Sequence, residues 1–118
     1  MTSLIACLST GTGTWSQVYR IIRENPWDRV FIITNDFGAQ KFEKNEKTEL
    51  ILVDFNAALE QIVGNIKQKL EGKISDFEVA VNIISGSGKE HTAILAAIIQ
   101  LGLGFRLVVA GEKGLQSL

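Results

Sequence analysis

Five short runs, 4–8, 29–34, 49–53, 77–84 and 105–110, are apolar through most of their length rather than at alternate positions. A strand that is apolar on both sides has to be buried on both faces, which is the pattern of a parallel sheet covered by helices. The segments between the runs fit that demand. Trp15, Val18, Tyr19 and Ile22 recur at helical spacing within 14–24, behind Thr14 as a candidate N-cap. Asn25-Pro26 stops that helix. Residues 36–47 are polar, charge-rich and interrupted by Gly38, and are expected to form a long loop. Asp54 is placed to cap a helix whose stripe is Leu59, Ile62, Val63, Ile66 and Leu70, with Gly72 closing it. A third helix is expected over 90–101, ending at Gly102, and the tail 111–118 is expected to be loose. The order β-α-β-loop-β-α-β-α-β, with right-handed crossovers, predicts one domain over 1–118. That domain is a three-layer, doubly wound (Rossmann-like) α/β fold on a mainly parallel five-stranded sheet.

The third helix differs from the other two. Ala93, Ile94, Leu95, Ala97, Ile98, Ile99 and Leu101 surround most of its circumference, unlike a helix with one buried stripe. Either long loops of the chain cover its outer side or another subunit does, and exposed apolar surface of that size marks an interface. The sequence therefore predicts a homodimer with the 90–101 helix as candidate contact.

Composition narrows the function classes. With 118 residues and 46% hydrophobic side chains the chain can build a core. Twelve basic and 13 acidic residues leave no basic field for general binding to duplex DNA. No apolar run reaches the roughly 18 residues of a membrane span. The opening Met-Thr-Ser-Leu-Ile-Ala has no basic segment of the kind a signal peptide carries. A single cysteine, Cys7, cannot form an internal disulfide, and a reducing cytoplasm is the expected setting. Its place in an apolar run makes it a core residue. One histidine and no cluster of ligands predict no metal site and no cofactor.

The chemistry concentrates in two loops. Ser85-Gly86-Ser87-Gly88-Lys89 follows the fourth strand and opens a helix. Backbone N–H groups left free at a helix N-terminus suit an anion such as phosphate, and Lys89 adds a mobile cation. Ser9-Thr10-Gly11-Thr12-Gly13-Thr14 follows the first strand with the same character. In the common doubly wound order these two strands are neighbours at the point where the winding reverses, and ligands bind there. Ser9, Thr10, Gly11, Thr12, Gly13, Ser85, Gly86, Ser87, Gly88 and Lys89 are therefore the candidate ligand-binding residues. The bland alternative is a pair of ordinary helix-entry turns with a solvated lysine. Lys41, Lys44 and Lys47, alternating with Glu43, Glu46 and Glu49, read as a solvated loop.

Two familiar phosphate motifs fail. A Walker A loop needs glycine at the position of Ile83 and Ser or Thr at that of Glu90. The dinucleotide fingerprint begins with Gly11-Thr12-Gly13, but Ser16 stands where its third glycine belongs.

The paired loops resemble those of the CRISPR-associated Rossmann fold (CARF) domains. That family carries, after its fourth strand, a motif roughly of the form Asn/Asp-x-Ser/Thr-Gly-Gly-Thr-Lys-x-Met. Asn82, Ser85, Gly86, Ser87 and Lys89 match its polar, glycine and lysine positions. Two residues instead of one separate Asn82 from Ser85, Gly88 is inserted before Lys89, and His91 replaces an apolar residue. The resemblance implies a homodimer that binds a cyclic oligoadenylate messenger of type III CRISPR antiviral defence across its two-fold axis. It leaves two roles open, a non-catalytic sensor and a metal-independent ring nuclease. A nucleotide-binding enzyme unrelated to CRISPR is the further alternative. In a ring nuclease the ribose 2′-hydroxyl attacks the adjacent phosphate. Lys89 would then stabilise charge on that phosphate, with His91 as general acid or base. Trp15 is placed either to stack an adenine or to pack in the core.

Overall fold

The structure, a computed structural model, describes residues 2–9, 13–43 and 45–118. The apolar runs form β1 (Leu4–Leu8), β2 (Val30–Thr34), β3 (Thr48–Leu52), β4 (Glu78–Asn82) and β5 (Gly104–Gly111). Every residue of β1 and β2 is buried. The sheet order is β3-β2-β1-β4-β5-β6, with β6 at Gly114–Ser117. Leu4 aligns with Val30 on one side and Ala80 on the other, so β1 is central and β4 is its neighbour, as the two-loop argument requires. The first five strands are parallel, and β6 runs antiparallel to β5.

The helices are α1 (Trp15–Arg23), α2 (Asp36–Lys41), α3 (Leu59–Leu70) and α4 (Gly88–Gln100). Alternate strand residues point to opposite faces of the sheet. Ile5, Cys7, Phe31, Ile33, Val79 and Val81 pack with Ile62, Ile66, Ala93 and Ile94 of α3 and α4. Leu4, Ala6, Leu8, Val30 and Ile32 pack on the other face with Trp15, Val18 and Ile21 of α1, together with Trp27 and Phe42. The coverage is uneven, with two long helices on one face and one on the other. The whole is an α/β domain compatible with a Rossmann-like fold.

Three expectations are corrected. The sheet has six strands, not five. The sixth comes from the tail expected to be loose, which turns back at Gly114 (φ 112°) and pairs Val108 with Ser117. The expected loop at 36–47 contains α2, because Asn35 caps it by accepting the Gly38 N–H at 3.0 Å. Asp54 does not cap α3, whose N-cap is Ala58. Instead Asp54 accepts the Asn56 N–H at 2.9 Å in a local turn. Helix α4 spends most of its apolar circumference inside the chain. Ala93, Ile94, Ala97 and Ile98 are buried, and the exposed apolar residue is Ile99, at 63%.

Candidate functional site

The two glycine-rich loops meet. The Ser9 N–H donates to Ser85 Oγ at 3.3 Å, a contact between residues 76 apart in sequence. Trp15, buried in the core, donates from Nε1 to the Ser9 carbonyl at 3.2 Å and so fixes the end of β1 from the α1 side. Trp15 is thus packing with a polar handle. Of the first loop, Ser9 borders the crevice and Gly13 is exposed just before α1. Thr10, Gly11 and Thr12 lie outside the described residues.

In the second loop the residues divide by task. Ser85 is buried, so its hydroxyl organises the turn. Gly86 has φ 105°, and a β-carbon there would sit 3.1 Å from Cys7 Sγ and 3.2 Å from His91 Nε2. Both the backbone conformation and the space demand glycine. His91 Nε2 lies 2.8 Å from the Ser85 carbonyl oxygen. A carbonyl only accepts, so Nε2 carries the proton and the imidazole holds the turn from behind. His91 is half-buried and is not among the residues bordering the crevice.

Ser87-Gly88-Lys89-Glu90 has the spacing of a capping box. The Ser87 hydroxyl, however, donates to the Glu90 carboxylate and makes no cap to the backbone. The first helical bond is His91 N–H to Ser87 O, at 3.0 Å. The N–H groups of Gly88, Lys89 and Glu90 precede it and have no helical acceptor. These three donors, beside the exposed Lys89, make the end of α4 electropositive.

A crevice of about 380 Å³ opens at this end of the sheet. Ser9, Ser87, Lys89 and Glu90 form one wall, and Asn35, Asp54, Phe55 and Asn56, from the ends of β2 and β3, form the other. Asn35 and Asp54 also border an adjoining cavity of about 490 Å³ that includes Asp36, Phe37 and Asn65. The second wall was not foreseen. The available signal was positional, since Asn35 and Asp54 closely follow the C-terminal ends of β2 and β3, where α/β sheets place ligands. Glu90 was also missed as a crevice residue, and it is buried.

The electrostatics are mixed. Lys89 shares the crevice with two carboxylates, Asp54 and Glu90. Beneath it, burial pushes the Cys7 thiol up to about 12, with the Glu90 carboxylate adding to the shift. Cys7 is inert as a nucleophile at neutral pH. Among the described residues no group of three or more His, Cys, Asp or Glu is placed to hold a metal ion, and no helix is long and apolar enough to cross a membrane. No protein-family model matches the chain, and no curated protein matches it in sequence.

Proposed function

We propose that the crevice binds a phosphate-bearing nucleotide, with its phosphate on Lys89 and the free N–H groups of α4. The observation that carries this reading is the Ser9–Ser85 bond. It brings two helix-entry loops to the neighbouring ends of β1 and β4, beside an uncapped helix N-terminus. One cation, two hydroxyls, two carboxylates and an aromatic ring line the crevice, groups of the kinds a single nucleotide needs. On this reading the domain is a doubly wound, Rossmann-like unit with its ligand at the switch point, working in a reducing cytoplasm where Cys7 stays a thiol. The resemblance of the loops to CARF domains makes a cyclic oligoadenylate the first ligand to test.

The position of His91 favours a receptor over a ring nuclease. Its Nε2 proton is committed to the Ser85 carbonyl, and Lys89 alone supplies no general base. A homodimer is part of the proposal. Ile84 and Leu118 are exposed and line one apolar pocket with half-buried Leu107 and Val109 of β5. That apolar strip adjoins the Ser85–Lys89 turn, so pairing two copies there brings two crevices together.

Calorimetric titration with cyclic tetra- and hexa-adenylate, followed by chromatography of the mixture, tests the reading. Binding without product supports a receptor, and a 2′,3′-cyclic phosphate product makes the protein a ring nuclease. No binding of either ring, nor of adenosine 5′-monophosphate, removes the nucleotide proposal. Sedimentation as a monomer removes the dimer.

A further inference from the structure

We infer that Asn35 and Asp54 form a donor–acceptor pair that reads a ribose 2′-hydroxyl and confines the crevice to ribonucleotides. The inference rests on the nucleotide reading above and specifies which nucleotides it admits.

The two residues follow adjacent strands and line the same cavities. The Val53 N–H donates to the Thr34 carbonyl at 2.9 Å, extending the β2–β3 ladder by one step. Thr34 pairs with Leu52, so Asn35 stands opposite Val53 in register and Asp54 follows Val53 by one residue, on adjacent strand ends. Both side chains border both cavities, so they stand at the divide between them.

Each side chain has one half fixed. Asn35 Oδ1 is held by the Gly38 N–H as the cap of α2. Its Nδ2, a pure donor, is turned the other way and has no protein partner among the described residues. Asp54 Oδ1 is held by the Asn56 N–H. Its Oδ2, a pure acceptor, is likewise without a protein partner among the described residues. One fixed donor beside one fixed acceptor is complementary to a hydroxyl, which accepts and donates at once.

In an oligonucleotide the 3′-oxygen is esterified, so the 2′-hydroxyl is the one left free, and it distinguishes RNA from DNA. With the phosphate on Lys89 across the crevice, the sugar falls between the two walls, against Asn35 and Asp54. The base then has the adjoining cavity, where Phe37 offers a ring face. The carboxylates of Asp54 and Glu90 repel additional phosphates, so the pair selects by hydrogen bonding and not by charge.

The test compares adenosine 5′-monophosphate and cyclic tetra-adenylate with their 2′-deoxy counterparts, on the full chain and on two conservative variants. Asp54→Asn keeps Oδ1 for Asn56 but turns the free acceptor into a donor. Asn35→Asp keeps the cap of α2 but turns the free donor into an acceptor. Thermal melts confirm that each variant is folded. A hydrogen bond to a charged group is worth roughly a tenfold to hundredfold preference. The wild type is expected to prefer the ribo form of whichever probe binds by about tenfold or more. Both variants should bring the ribo-to-deoxy ratio close to one. The ratio is the readout, because Asp54→Asn also removes a charge and raises affinity for any phosphate. Equal binding of ribo and deoxy probes by the wild type, or a preference that survives both substitutions, overturns the inference and leaves the nucleotide site standing. If no probe binds the wild type, the nucleotide reading fails and the hydroxyl clamp fails with it.

Discussion

Gly86→Ala is the substitution on which the description of the turn depends most heavily. At φ 105° an L-residue is strained, at a cost of about 1–3 kcal/mol. The new methyl also lands 3.1 Å from Cys7 Sγ and 3.2 Å from His91 Nε2. Cys7 lies in the central strand, fully buried, and cannot retreat, while His91 is tied to the Ser85 carbonyl. Overpacking of this kind adds about 1–3 kcal/mol. The expected loss is therefore about 2–6 kcal/mol, a large part of the ~5–15 kcal/mol that holds a domain folded. In urea, with a slope of roughly 2 kcal/mol/M, a loss of 3 kcal/mol lowers the midpoint by about 1.5 M. The reasoning has a second, sharper consequence. Cys7→Ala deletes one of the two colliding atoms, so the double variant should cost less than the sum of the single ones, by about 0.5–2 kcal/mol. A Gly86→Ala midpoint within about 0.2 M of wild type, or strict additivity with Cys7→Ala, would refute the account of a turn wedged between strand and helix.

Three further outcomes follow from single residues. Lys89→Ala should weaken nucleotide binding about tenfold or more at low salt, with no change in melting temperature because the side chain is exposed; unchanged affinity would remove Lys89 as the phosphate contact. Thr34 Oγ1 is buried without a hydrogen-bond partner among the described residues, so the isosteric Thr34→Val should raise stability by about 1 kcal/mol in urea titrations, and a loss would show that the hydroxyl is satisfied. Cys7 should resist aromatic disulfide reagents at pH 8 until the protein is unfolded. Its pKa is raised from 9.0 to about 12 in the folded state, so its contribution to stability is complete below pH 9 and is lost as pH rises toward 12. A wild-type stability curve that parallels that of Cys7→Ala through this window would contradict that burial.

The central architecture was legible because burial on both faces forces continuous apolar runs. Ile5, Phe31 and Val81 serve one face while Leu4, Ile32 and Ala80 serve the other, so the strands were unmistakable. The adjacency of Ser9 and Ser85 followed from the winding rule alone. What escaped were elements set by a single polar contact. The helix at Asp36–Lys41 has little apolar periodicity and a glycine inside it, and its start depends on the Asn35 side chain. The last strand is four residues long and is held by pairing with β5, with Leu115 as its packed side chain. Asp54 carries the signature of a helix cap, yet the helix begins later, and a local turn claims the carboxylate. The second wall of the crevice was hidden for the same reason. Asn35 and Asp54 come to one crevice through the pairing of β2 with β3, which no local pattern encodes.

The bond from Ser9 to Ser85 also ties the site to the order in which the chain assembles. Local pairings are fast to form, and contacts between distant parts of the chain are slow, because loop closure has to precede them. The first three strands and α1 can associate within the first half of the sequence. The crevice cannot exist until β4 has crossed over and docked beside β1, closing a loop of more than seventy residues. The crevice proposed to hold a ligand is thus completed only after β4 has docked. A chain truncated before β4 lacks Ser87, Lys89 and Glu90 of the crevice wall altogether, along with the core residues β4 and α4 pack against β1.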